Sequence, residues 1–146
     1  VTISGTSTAL VVGGVDLTPY GGTFTGTLTG CTTSPTATFT WERVGKMAVV
    51  TLGTNALTAT SNSNACTITG LPAAIQPSAT ETLVPCYGIE NNGVAALLGG
   101  ALVTPGSGTI TLYLYVSVAA GFSSTGFTSS GAKGVTAAFS FSYTIA

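Results

Sequence analysis

The sequence contains no histidine, only three Lys and Arg side chains, and only four carboxylates in 146 residues. Charged residues make up 5% of the chain, where an ordinary soluble domain has about 25%. Without His, neither a Ser-His nor a Cys-His nucleophile pair can form, and no imidazole can complete a metal shell. The carboxylates Asp16, Glu42, Glu81 and Glu90 are scattered along the chain. They offer few chances for the two acids that must flank a glycosidic bond in hydrolysis. The expectation is a protein that is not an enzyme and needs no cofactor and no metal. Arg43, Lys46 and Lys133 are too few for the basic stripe that nucleic-acid binding needs. They are equally too few for an electrostatic membrane anchor.

Long apolar runs are also missing. The most apolar stretch, residues 93–103, holds three glycines and falls short of the roughly 20 residues that span a bilayer. No signal peptide is visible, and Val1 is not an initiator residue, so the chain reads as a processed product or a C-terminal piece of something longer. Cys31, Cys66 and Cys86 are odd in number and match no zinc spacing. Three reduced, packed thiols are expected in preference to one disulfide and a free thiol. No phosphate loop or calcium loop is present: Gly13-Gly14 and Gly21-Gly22 lack the Lys and the following helix that the former needs, and clustered Asp residues are lacking for the latter.

What the sequence does have is alternation. Thr23, Thr25, Thr27 and Thr29 alternate with Phe24, Gly26 and Leu28, a period of two with one hydroxyl face. Ala37, Phe39 and Trp41 alternate with Thr38, Thr40 and Glu42, and Gly45 separates this run from residues 46–52, as in a hairpin. In that second strand Met47 and Val49 face one way and Ala48, Val50 and Leu52 the other. A solvated ion pair of Glu42 with Arg43 or Lys46 is expected. Residues 58–63 read as a polar loop or ragged edge, and residues 65–70 as a short strand. The stretch 71–77, with Pro72 and Pro77, reads as a crossing connection with Leu71 and Ile75 tucked inward. Residues 82–90 read as a strand with Leu83, Tyr87 and Ile89 on one face, and Asn91-Asn92-Gly93 as a turn. Residues 94–103 follow as a strand with a bulge or bend at Gly99-Gly100.

The clearest strand is 109–118, with Ile110, Leu112, Leu114 and Val116 on one face and Tyr113 and Tyr115 on the other. A Gly/Ser-rich loop, 119–133, carries Phe122 and Phe127. Ala137, Phe139, Phe141, Tyr143 and Ile145 then alternate with small polar residues to the end. No segment keeps a helical period. The pattern predicts an all-β domain, a jelly-roll-like β-sandwich, over residues 21–146, preceded by an arm or linker at 1–20.

The order of motifs resembles a module at the C-terminal ends of bacteriophage tail-fibre and receptor-binding proteins. The resemblance rests on Gly22-Thr23-Phe24-Thr25-Gly26-Thr27-Leu28-Thr29-Gly30, on Thr40-Trp41-Glu42-Arg43-Val44-Gly45-Lys46-Met47-Ala48-Val49-Val50, on Thr67-Ile68-Thr69-Gly70-Leu71-Pro72-Ala73-Ala74-Ile75-Gln76-Pro77, and on Ser130-Gly131-Ala132-Lys133-Gly134 before the last strand. Gln76 departs from the pattern, where Arg is common. The resemblance covers roughly residues 21–146 and implies a trimeric head on a virion tail fibre, assembled in the host cytoplasm. Its implied partners are two further copies of itself, other tail or fibre proteins, and a host-surface glycan or protein receptor, with no nucleic acid and no membrane insertion. A reducing cytoplasm agrees with unpaired thiols.

A chain with so little charge must cover its surface with Thr, Ser, Asn and Gly. Solubility normally leans on charge, so the composition favours a surface covered by sister subunits over a lone monomer. Candidate receptor contacts are Phe122 and Phe127 in the long loop, with Asn91 and Asn92 at the turn. The competing reading for the two Phe residues is that they fold back to plug the end of the sandwich. Two other functions stay open: a structural virion component without a receptor, and a carbohydrate-binding module or adhesin domain.

Overall fold

A computed structural model of the chain describes residues 11–12, 15–16, 18–78 and 82–145. Twelve strands follow in order: β1 (Val11–Val12), β2 (Val15–Asp16), β3 (Tyr20–Thr29), β4 (Thr36–Val44), β5 (Met47–Leu52), β6 (Leu57–Thr60), β7 (Thr67–Thr69), β8 (Thr82–Asn91), β9 (Val94–Val103), β10 (Thr109–Ser117), β11 (Gly121–Ser123) and β12 (Ala132–Thr144). The fold is all-β and sandwich-like, and the only helical element among the described residues is a single 3-10 turn, Ala73–Ile75.

β1 and β2 pair with each other. The remaining strands form one 10-stranded antiparallel sheet in the order β11-β10-β7-β3-β4-β5-β12-β8-β9, with β6 beside β12. β10 also pairs with β9, from Ile110↔Val103 to Leu114↔Gly99. That pairing closes the sheet into the ring β3-β4-β5-β12-β8-β9-β10-β7, although β3 meets β7 only over Thr27–Thr29 and its residues 20–26 pair with β4 alone. Closure removes the unpaired backbone groups that make an edge strand sticky.

The inner face follows the alternation of the sequence. Phe24 and Leu28 of β3, Phe39 and Trp41 of β4, Ala48, Val50 and Leu52 of β5, Ile110 and Leu112 of β10, and Phe139, Phe141 and Tyr143 of β12 are all buried. An aromatic spine ties β3, β4 and β12 together. Phe24 stacks on Phe39 at 5.1 Å, Phe39 meets Phe139 edge-on at 6.5 Å, and Phe139, Phe141 and Tyr143 continue along one side of β12. Offset and edge-on pairs like these add about 0.5–1.5 kcal/mol each beyond their area burial.

The crossing connection behaves as its prolines require. Leu71 and Ile75 are buried, and the carbonyls of the 3-10 turn are held by side chains from the sheet. Tyr143 Oη donates to Ile75 O at 2.5 Å, and Arg43 Nη1 donates to Ala74 O at 2.9 Å.

Four expectations are corrected. The polar stretch 58–63 is not simply a loop: β6 pairs with the first part of β12, from Ala132↔Thr60 to Val135↔Leu57. The 119–133 stretch contains β11, which returns against β10. Tyr87 and Ile89 do not share a face: the register shifts between them, Gly88 takes φ +93°, and Tyr87 points outward while Ile89 is buried. Gly99 and Gly100 form no bulge; they pair regularly with both β8 and β10. They are glycines because a Cβ on Gly99 would collide with the Ile89 side chain and the Tyr113 carbonyl.

Candidate binding and assembly surface

The outward positions of neighbouring strands line up in rungs. One rung runs Thr23↔Thr40, Thr40↔Thr51, Thr51↔Ser140, Ser140↔Tyr87 and Tyr87↔Leu98. It crosses six strands with four hydroxyls, one phenol and one Leu, and it carries no charge. Thr51 and Ser140 hydroxyls lie 3.0 Å apart, so part of the rung is already joined across the sheet. Thr25↔Thr38 and Thr27↔Thr36 extend the hydroxyl field toward the other end of β3 and β4. Beside it, Thr36, Thr38, Thr40, Gly53, Thr54 and Asn55 line a shallow groove of ≈ 510 Å³. Ala37, Leu52 and Ala56 complete its lining, so hydroxyl, amide and apolar groups face the groove and no charged side chain does. It suits an uncharged hydrogen-bonding ligand or the matching face of another protein.

At the hairpin end of β4 and β5 the same face turns apolar. Val44, Met47 and Val49 are 42%, 47% and 40% exposed. Gly45 and Lys46 make the two-residue turn, with Gly45 at φ +57°, as a turn with glycine at its first central position requires. The expected ion pair does not form. Arg43 instead donates from Nε to Gly45 O and from Nη1 to Ala74 O, both at 2.9 Å. Its guanidinium is used to staple the crossing connection, while Glu42 and Lys46 stay exposed.

The predicted contact residues separate. Phe127 is 3% exposed and plugs the core. Phe122 is half-buried and meets Tyr115 edge-on at 5.5 Å. Asn91 turns inward: its Oδ1 accepts from Thr128 N at 2.9 Å and from Thr128 Oγ1 at 3.2 Å, which ties down the loop before β12. Asn92 and Gly93, with φ +53° and +76°, form the β8–β9 turn, the pattern of a type I′ hairpin. Asn92 is exposed and Phe127 is not, so these four residues do not make one surface. The side chain of Asp16 and all of Glu81 fall outside the described residues.

Lys133 is the unexpected residue. It is fully buried, and its Nζ donates to Ser63 O and Ala65 O and lies 5.7 Å from the centroid of the Phe127 ring. Burial lowers its pKa from the ordinary value, with the neighbouring Cys66 and Cys31 acting the other way. A buried cation is tolerated when it is hydrogen-bonded and faces π density, and this one is. Its placement follows from β12. Gly134 takes φ +142° and sits where a Cβ would run into the Leu57 carbonyl, so β6 can close tightly over the lysine.

All three cysteines are free and buried. Burial pushes the thiols of Cys66 and Cys86 up to about 12, so neither is a thiolate nucleophile at neutral pH. Among the described residues no group of three His, Cys, Asp or Glu side chains could hold a metal. Among the described residues no helix is long and apolar enough to cross a membrane. No protein-family model matches the sequence, and no curated protein matches it.

Proposed function

We propose that this domain is the head of a virion fibre that assembles as a homotrimer and attaches to an uncharged host-surface receptor, a glycan. The observation that carries the reading is the rung Thr23–Thr40–Thr51–Ser140–Tyr87–Leu98, which crosses six strands without a charged side chain. Its hydroxyls hydrate, but it carries no charge to hold copies apart in solution. It suits contact with sister subunits or with a polyol, whose hydroxyls and C–H faces carry no charge either. The groove beside Thr36, Thr38 and Asn55 offers hydroxyl and amide partners for the latter. Three protonated, unpaired thiols fit assembly in a reducing cytoplasm before incorporation with other fibre or tail proteins.

The test is binding of the isolated, correctly assembled domain to host cells and to a glycan array. Saturable retention that free glycan competes away supports attachment. An assembled domain that binds neither would leave a structural virion part, without a receptor, as the surviving reading.

A further inference from the structure

On the outer face of the β4–β5 hairpin, Thr40, Trp41, Glu42, Val49 and Thr51 line a depression of ≈ 180 Å³. Its size is that of roughly one large side chain. Gly21 lies opposite Glu42 in the register and leaves the carboxylate's flank uncovered. The hollow is therefore a half-apolar socket with an acid in its wall.

The exposed cation that matches it lies on the same hairpin. Lys133 is buried, and the Arg43 guanidinium is committed to two backbone carbonyls. Lys46 is the one exposed cation among the described residues, and it stands on the turn between Val44 and Met47. Among the described residues neither Glu42 nor Lys46 has an ion-pair partner. Knob and socket carry opposite charge and are left unmatched within one molecule. They can be matched between two.

We infer that the β4–β5 hairpin is the contact between copies of this chain: Lys46 of one copy enters the Glu42–Val49 socket of the next, and Met47 packs against the socket's rim. The occupant is a second copy because the chain itself supplies the complementary charge. Such a contact is reciprocal in a two-fold pair and head-to-tail in a ring; the trimer proposed above takes the ring. Val44, Met47 and Val49 supply the desolvated centre, and the Glu42–Lys46 pair at the rim fixes register and partner choice. This inference rests on the assembled head proposed above and names the surface that assembles it.

The test is light scattering on four purified forms: wild type, Val49→Lys, Glu42→Lys, and the double exchange Glu42→Lys with Lys46→Glu. Val49→Lys is expected to reduce the mass to that of one chain. Glu42→Lys sets two lysines against each other and is expected to weaken assembly at least tenfold in concentration. The double exchange restores it. All three positions changed are exposed, so circular dichroism and thermal unfolding of the monomeric forms are expected to report an intact fold. A wild-type oligomer whose mass survives both Val49→Lys and Glu42→Lys would overturn the hairpin as the contact while leaving an assembled head. A monomeric wild type would remove the assembled head itself.

Discussion

The ammonium nitrogen of Lys133 sits 5.7 Å from the centre of the Phe127 ring, and both side chains are buried. The pair joins three parts of the chain. Lys133 opens β12, Phe127 belongs to the loop before it, and the carbonyls of Ser63 and Ala65 that accept from the lysine lie between β6 and β7. A cation at this point acts as a three-way clamp. It also means that one of the three basic residues is unavailable to any partner.

Lys133→Ala is expected to destabilise the fold by about 3 kcal/mol, because it leaves two buried carbonyls without a donor and opens a void. Lys133→Met, which fills the space but still strands the carbonyls, is expected to cost about 1–3 kcal/mol. Urea denaturation of both variants checks this. Equal stability of Lys133→Ala and wild type would show that the clamp contributes nothing.

Gly134→Ala is expected to be more damaging than its size suggests. The residue holds φ +142°, and the new Cβ would meet the backbone carbonyl of Leu57, which has no rotamer to escape into. A loss of about 2–4 kcal/mol and loosened β6–β12 pairing are expected. Amide hydrogen exchange at Leu57–Thr60 reports the second effect directly.

Asn91→Ala removes the acceptor for Thr128 N and Oγ1. The expected cost is about 1–2 kcal/mol, with faster exchange confined to the loop between β11 and β12. A variant that instead loses receptor binding with the loop unchanged would make Asn91 a contact residue.

Alkaline pH is expected to destabilise the domain. Cys66 and Cys86 ionise near the ordinary 9.0 when unfolded but only at about 12 when folded. Between those values the folded state binds more protons than the unfolded one, so stability falls as pH rises. Each thiol contributes a slope of about 1.4 kcal/mol per pH unit inside that window. Cys31 and Tyr143 are shifted upward too and act in the same direction. Lys133 acts oppositely, since its lowered pKa makes the unfolded state the better proton binder up to 10.5. One group against four leaves a net loss. Chemical denaturation at a series of pH values from 8 to 11 checks the sign, and Cys66→Ala with Cys86→Ala flattens the slope.

The strands that build the ring were legible because their alternation is strict. Thr23 to Leu28, Ala37 to Glu42 and Ile110 to Tyr115 each place apolar residues on one side only, and each side landed where the period sends it. β6 was hidden because Thr58 and Thr60 face partly exposed positions, and its pairing with β12 is a contact across more than seventy residues. The parity of Tyr87 and Ile89 failed for a local reason: a bulge at Gly88 inserts one residue, and a period of two cannot survive it. Lys133 did leave a trace. It shares the odd-numbered register of Val135, Phe139, Phe141 and Tyr143, all buried, but exposed Ala137 interrupts that register. The socket at Glu42 was invisible, since it depends on which glycine lies across the sheet rather than on any local pattern.

The central claim is that a face with so little charge is made to be covered by copies of itself. Light scattering of the wild-type domain at micromolar concentration measures this directly. The account predicts a single species of three times the 14.3 kDa chain mass. A single species at the mass of one chain would contradict it.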